Sequence, residues 1–212
     1  MEAIKFKTLT TEIEIESYLN KFESFVGVKL PYDYSMRSKM VGAYKGDAMV
    51  GGYMLVTKPQ FRSLMFVPAH VKDSHAFFQN DQFEMMEVNG VWISASVKSA
   101  AQQFRIWTYM LWDIFSARKK YILLMADLRN SNIRNIHNMT NPETLYEGAP
   151  MLMAGAASHD RIRVSVTTRW QMLLNVPKYY LAYRARARRS SERAKLREFD
   201  RDVRDVGASP RS

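Results

Sequence analysis

The chain has 212 residues, a formal net charge of +10 and no cysteine. That length suffices for one domain with a sizeable core, and 47% hydrophobic against 25% charged residues is the balance of a folded protein. The lack of cysteine excludes disulfides, thiolate zinc sites and a cysteine nucleophile, and no apolar stretch is long enough to span a bilayer.

Met1 to Thr10 alternates Lys with apolar residues and lacks the continuous apolar run of a secretory leader, so a cytoplasmic protein is expected. Within it Ile4-Lys5-Phe6-Lys7 has period two and predicts a short strand. Thr10 or Thr11 caps a following helix, with Glu14 placed to close a capping box, and Gly27 ends it. Its apolar face is expected to hold Ile13, Ile15, Tyr18, Leu19, Phe22 and Phe25 or Val26. Leu30 to Tyr34 is a turn-rich connector. Lys39–Tyr44 and Ala48–Thr57 predict strands joined through Lys45-Gly46-Asp47 as a tight hairpin. Residues 58–82 have no period but repeat Phe, and are expected to pack on, or cover, something. Phe83–Ser94 predicts a strand broken at Asn89-Gly90, the mark of a bulge.

Ser99–Lys120 predicts a long helix with Phe104, Trp107, Leu111, Ile114 and Phe115 on its apolar face. Tyr121–Ala126 is almost wholly apolar, as in a central strand. Asn130 or Ser131 caps a short helix through Asn138, and Asn141-Pro142-Glu143 opens a turn ending near Gly148. Arg161–Thr168 alternates as a strand, while Tyr179–Tyr183 reads as a last strand or the start of a tail helix. Residues 184–212 carry ten Arg or Lys against five Asp or Glu, half of the net charge. The division expected is one domain over 1–183 and a basic, helical then mobile tail over 184–212.

Strand, helix, hairpin, strand, long helix, buried strand and final strands imply an α+β fold with a mixed, mostly antiparallel sheet flanked by helices. Three features carry a resemblance. They are the hairpin Val41-Gly-Ala-Tyr-Lys-Gly-Asp-Ala-Met-Val-Gly-Gly52, the strand Phe83-Glu-Met-Met-Glu-Val-Asn-Gly-Val-Trp-Ile-Ser94 with its long following helix, and Tyr121-Ile-Leu-Leu-Met-Ala126 with the Asn-rich segment and Leu145-Tyr-Glu-Gly148 after it. Together, over roughly residues 35–150, they resemble the GNAT N-acyltransferase superfamily. The nearest branch is that of the long-chain N-acyl amino acid and acyl-homoserine-lactone synthases. The family's phosphate-cradling loop carries glycines, whereas Lys98-Ser-Ala-Ala-Gln-Gln-Phe-Arg105 has none.

The resemblance implies transfer of an acyl group, long-chain in that branch, to an amine such as an amino acid. No tightly bound cofactor is expected. The co-substrate is acyl-CoA or an acyl carrier protein, whose acidity would suit this basic chain. By position, Glu87 corresponds to the base and Tyr146 to the acid that protonates the leaving thiolate. The backbone at Val91, Trp92, Ile93 and Ser94 would hold the donor's carbonyl or pantetheine arm. Lys98, Ser99 and Arg105 would meet phosphate, and Asn130, Asn132 and Asn135 the donor arm.

Each residue also has a plainer reading. Glu84 and Glu87 sit at odd spacing, on opposite strand faces, and both suit a solvated strand. Asn is a common helix cap, and Tyr146 a common packing residue. The aromatic and Met residues suit an apolar core as well as an acyl tunnel. His70, His75, His137 and His159 are scattered without the spacing of a zinc site. The alternative function is nucleic-acid binding, or a non-catalytic scaffold, through the Arg-rich tail. Its interspersed acids suit a solvated helix with intrahelical pairs.

Overall fold

The structure, a computed structural model, describes residues 2–129, 134, 137–151, 159–185, 188, 189 and 192. Strand β1 (Lys5–Leu9) leads into α1 (Glu12–Val26), the short α2 (Tyr32–Met36), and the pair β2 (Lys39–Lys45) and β3 (Ala48–Val56). Short helices α3 (Arg62–Met65) and α4 (Ala69–Ser74) and two 3-10 turns precede β4 (Met85–Ile93). Then come α5 (Ala100–Ser116), β5 (Tyr121–Asp127), β6 (Glu143–Gly148), β7 (Ile162–Thr168) and α6 (Arg169–Leu174), with residues 176–185 also helical. No helix among the described residues is long and apolar enough to cross a membrane.

Local chemistry explains the first elements. The Thr11 side chain accepts the Glu14 N–H, and the Glu14 carboxylate accepts the N–H groups of Thr10 and Thr11, so the predicted capping box forms. Gly27 closes α1 in the left-handed region at φ 74°. Ile15, Tyr18 and Phe22 face inward, but Ile13 is 80% exposed. Two residues of helix turn a side chain through about 200°, so Ile13 and Ile15 cannot share a face.

The strands form one seven-stranded sheet in the order β1-β2-β3-β4-β5-β7-β6. Every neighbouring pair is antiparallel except β4 and β5, so the mixed, mostly antiparallel α+β sheet expected from the element order is present. Lys45 pairs with Ala48 across the predicted Gly46-Asp47 turn. One face packs Tyr18, Phe22, Tyr34, Phe61 and Phe66 from α1, α2 and the segment around α3 against Met54, Met85 and Leu123. The unperiodic stretch after β3 therefore packs into the core, as expected. On the other face Met110 and Ile114 of α5 and Met172 of α6 cover Tyr53, Leu55, Met86 and Ile122.

Three elements differ from expectation. The buried stripe of α5 is Ile106, Met110, Asp113 and Ile114, so of the predicted face only Ile114 is buried. Asp113 is drawn inward because it accepts the Tyr53 hydroxyl at 2.7 Å and pairs with Lys39 at 2.8 Å. The helix stops at Ser116, not Lys120: Arg118 takes φ +56°, off the helical path, and Lys120 N–H then bonds to Glu84 O in the turn before β4. The turn expected over Asn141–Gly148 is edge strand β6, which buries Leu145. A proline just before an edge strand removes no ladder bond, so Pro142 does not prevent it. Of the two alternatives for Tyr179–Tyr183, the helix is the one formed.

Candidate active site

β4 and β5 run side by side only at Met85↔Tyr121, Met86↔Ile122 and Glu87↔Leu123. Beyond those pairs they part, β4 staying on β3 and β5 on β7. A bulge in β4 accompanies the parting. Gly52 pairs with Trp92 and Met54 with Asn89, so Tyr53 alone opposes Gly90 and Val91. Gly90 takes φ +61°, and a Cβ there would lie 2.8 Å from the Met54 Sδ. Tyr18, fully buried on α1, donates to Gly90 O at 2.5 Å, and the Asn89 side chain accepts the Gly90 N–H at 2.7 Å. The predicted bulge is thus present, and two side chains secure it.

The parting leaves a cleft of about 1170 Å³. It passes through the sheet, since Phe22, Val26 and Leu30 line it from the α1 face and Trp107, Met110 and Ile114 from the α5 face. The wall along β4 has a defined polarity. Ser94 N–H donates to Val50 O of β3 at 2.8 Å. Strand alternation then aims the N–H groups of Val91 and Ile93 the other way, across the gap that β5 has left.

No protein-family model matches the sequence, and no curated protein matches it. Solved structures match its shape. FeeM, an N-acyl amino acid synthase from uncultured soil microbes, superposes with a TM-score of 0.57 over 80% of this chain and 92% of its own, at 8% identity. Arabidopsis thaliana NAA60, solved with acetyl-CoA, gives 0.53 over 78% and 99% at 6% identity. An N-acetyltransferase from Staphylococcus aureus gives 0.52 over 78% and 97% at 8% identity. The chain has the GNAT fold. At such identities the likeness concerns the fold alone.

On this GNAT frame the expected donor-binding residues divide. Val91, Trp92, Ile93 and Ser94 all line the cleft. Lys98, Ser99 and Arg105 do not. Ser99 caps α5 by accepting Gln102 N–H, and Lys98 and Arg105 are on the surface. Gln103 lines the cleft in that region, accepting the Tyr183 hydroxyl at 3.0 Å and donating to Val97 O at 2.6 Å. Asn130, Asn132 and Asn135 lie outside the described residues.

Neither expected catalytic side chain lines the cleft. Glu87 is 1% exposed on the α1 face. Its carboxylate accepts the Tyr34 hydroxyl at 2.8 Å, Arg62 N–H at 2.8 Å and Ser63 N–H at 2.9 Å. Burial pushes its pKa up, and those three donors oppose the shift. Tyr34 also receives the Asn89 amide at 3.2 Å, which connects Glu87 to the bulge. The Tyr146 hydroxyl donates to Ala149 O at 2.6 Å. Glu84 sits in a 3-10 turn rather than in the strand and faces Lys120.

Residues that sequence spacing did not single out do reach the cleft. Asp127, Arg129, His137 and His159 line it. Asp127 and His159 are 32 positions apart, yet the carboxylate and Nδ1 meet at 3.0 Å. Arg129 binds the same carboxylate through Nη2 at 2.7 Å. No group of three or more His, Asp or Glu among the described residues is placed to hold a metal ion.

Proposed function

We propose that this protein is an N-acyltransferase that moves an acyl group, longer than acetyl, from a thioester to an amine. The observation that carries this is the parting of β4 from β5 at a bulge, with backbone N–H groups of Val91 and Ile93 aimed into the resulting cleft. Such donors suit a thioester carbonyl or the amide groups of a pantetheine arm, and they stabilise the oxyanion formed when an amine attacks. In the reaction the C–N bond forms, the C–S bond breaks and the thiolate leaves with a proton.

Chamber chemistry supports the longer chain. Trp107, Met110, Leu111, Ile114, Leu124 and Met172 line the α5 side with apolar surface. An aliphatic chain gains roughly 0.8 kcal/mol for each methylene buried there. The donor is acyl-CoA or acyl carrier protein. The glycine-free start of α5, where Gln103 is engaged by Tyr183, favours a carrier-bound thioester over pyrophosphate contacts. The likeness to FeeM supports an amino acid acceptor. Glu87 we assign a supporting role behind the cleft, where it holds Tyr34 and through it Asn89, which lines the cleft.

Purified protein should be incubated with acyl-CoA and acyl carrier protein thioesters from two to sixteen or so carbons, with amino acids and simple amines. Mass spectrometry is expected to find an N-acyl product with long-chain thioesters. Absence of product and of donor binding across the panel would overturn the reading.

A further inference from the structure

We propose that His159, held by Asp127, is the general base that takes the proton from the attacking amine. The proposal rests on the acyl-transfer reading of the cleft and names a residue for its proton transfer.

Four observations converge. His159 lines the cleft, and its side chain is 8% exposed. Nδ1 lies 3.0 Å from Asp127 Oδ2. A carboxylate only accepts, so Nδ1 carries the hydrogen and Nε2 of the neutral ring is left with its lone pair. Nε2 is buried and has no hydrogen-bond partner among the described residues. Arg129 bonds to Asp127 and holds the carboxyl well below the usual range, so the group that sets the tautomer stays ionised. Such an unmade bond in an interior costs free energy that a structural histidine normally avoids.

Placement agrees with the chemistry. Glu87 is level with Leu123 in the last parallel pair, and beyond it the bulge at Gly90 and Val91 and the end of β5 at Asp127 line the same cleft from its two sides. The pair of side chains therefore stands across the gap from the bulge and its N–H groups. Asp127 shares a strand face with Leu123 and Met125, and His159 stands edge-on to Phe66 at 6.5 Å, which puts both on the α1 face. The apolar chamber for the acyl chain opens on the α5 face. Amine and acyl chain then enter from opposite sides of the sheet, and the carbonyl carbon lies between them. The amine nitrogen attacks that carbon, its proton passes to Nε2, the C–S bond breaks, and the same proton passes to the thiolate sulfur.

The test uses the full chain. His159→Asn keeps a donor for Asp127 and removes Nε2; Asp127→Asn removes the carboxylate. With a donor that the wild type consumes, His159→Asn should lower kcat by roughly 10²- to 10⁴-fold, the usual worth of a general base. The KM for the donor should stay within about twofold, because only the proton transfer is removed. Asp127→Asn should lower kcat in the same direction with donor binding retained. Undiminished kcat in His159→Asn overturns the proposal while the acyl-transfer reading stands. Loss of donor binding together with kcat in both variants also overturns it, since that is the outcome of a packing role. Absence of any product from the wild type overturns the acyl-transfer reading and this one with it.

Discussion

Tyr34 donates to Glu87 and receives from Asn89, so one phenol couples a buried carboxylate to the bulge. Burial pushes the pKa of this phenol up, and the neighbouring Glu87 charge adds to the shift. Tyr34→Phe would leave Glu87 Oε2 one donor short and the Asn89 amide without its acceptor. We expect a loss of about 1–3 kcal/mol, read as a lower denaturant midpoint. Glu87→Gln sets an amide N–H against the N–H groups of Arg62 or Ser63, and should lower Tm while kcat falls by less than about tenfold. A loss beyond about a hundredfold at unchanged Tm would instead place Glu87 in the chemistry. The residue types were visible in the sequence. That Tyr34 and Arg62-Ser63 close over Glu87, 53, 25 and 24 positions away, was not, because no periodic signal records such contacts.

At the scale of elements, the signals that act within a few residues were legible. The Thr11–Glu14 box formed as read, and Thr11→Ala should cost about 1 kcal/mol in a chemical melt. Asn89-Gly90 announced the bulge. Gly90→Ala would force a side chain into the left-handed region and onto the Met54 sulfur. We expect about 1–2 kcal/mol of destabilisation and a weaker hold on the thioester donor, measured as a higher KM. Gly52 does a different job. A Cβ there would meet Val41 O and come within 2.6 Å of the Tyr18 ring, the same ring whose hydroxyl holds Gly90 O. What the sequence misplaced was most of the inward face of α5 and the nature of β6. Ile114 is buried as the stripe predicts, but Trp107 and Leu111 are only partly buried at the edge of the core, while Ile106 and Met110, which lie off that stripe, are buried. Periodicity shows that a helix has an apolar side without showing how far round it the protein packs.

For the molecule as a whole, acid sensitivity should include a term from His137. Burial, reinforced by the Arg163 charge, pushes its pKa down to about 4 from an ordinary 6.5. The unfolded chain therefore binds the extra proton first as pH falls. The associated stability is complete above about pH 6.5 and is lost as pH drops towards 4, a change of roughly 3 kcal/mol at most. Urea melts at pH 7, 5.5 and 4 should show it, and His137→Gln should flatten the curve over that window. By itself the sequence determined the element order apart from β6, the mixed sheet, the helix cap, the hairpin and the bulge, because each depends on chemistry within a few residues or on period along one strand or helix. The tertiary structure decided where β4 leaves β5, which side chains line the gap, and that Asp127 meets His159. Those outcomes depend on residues tens of positions apart that are brought together only when the sheet closes its order and its two faces are covered.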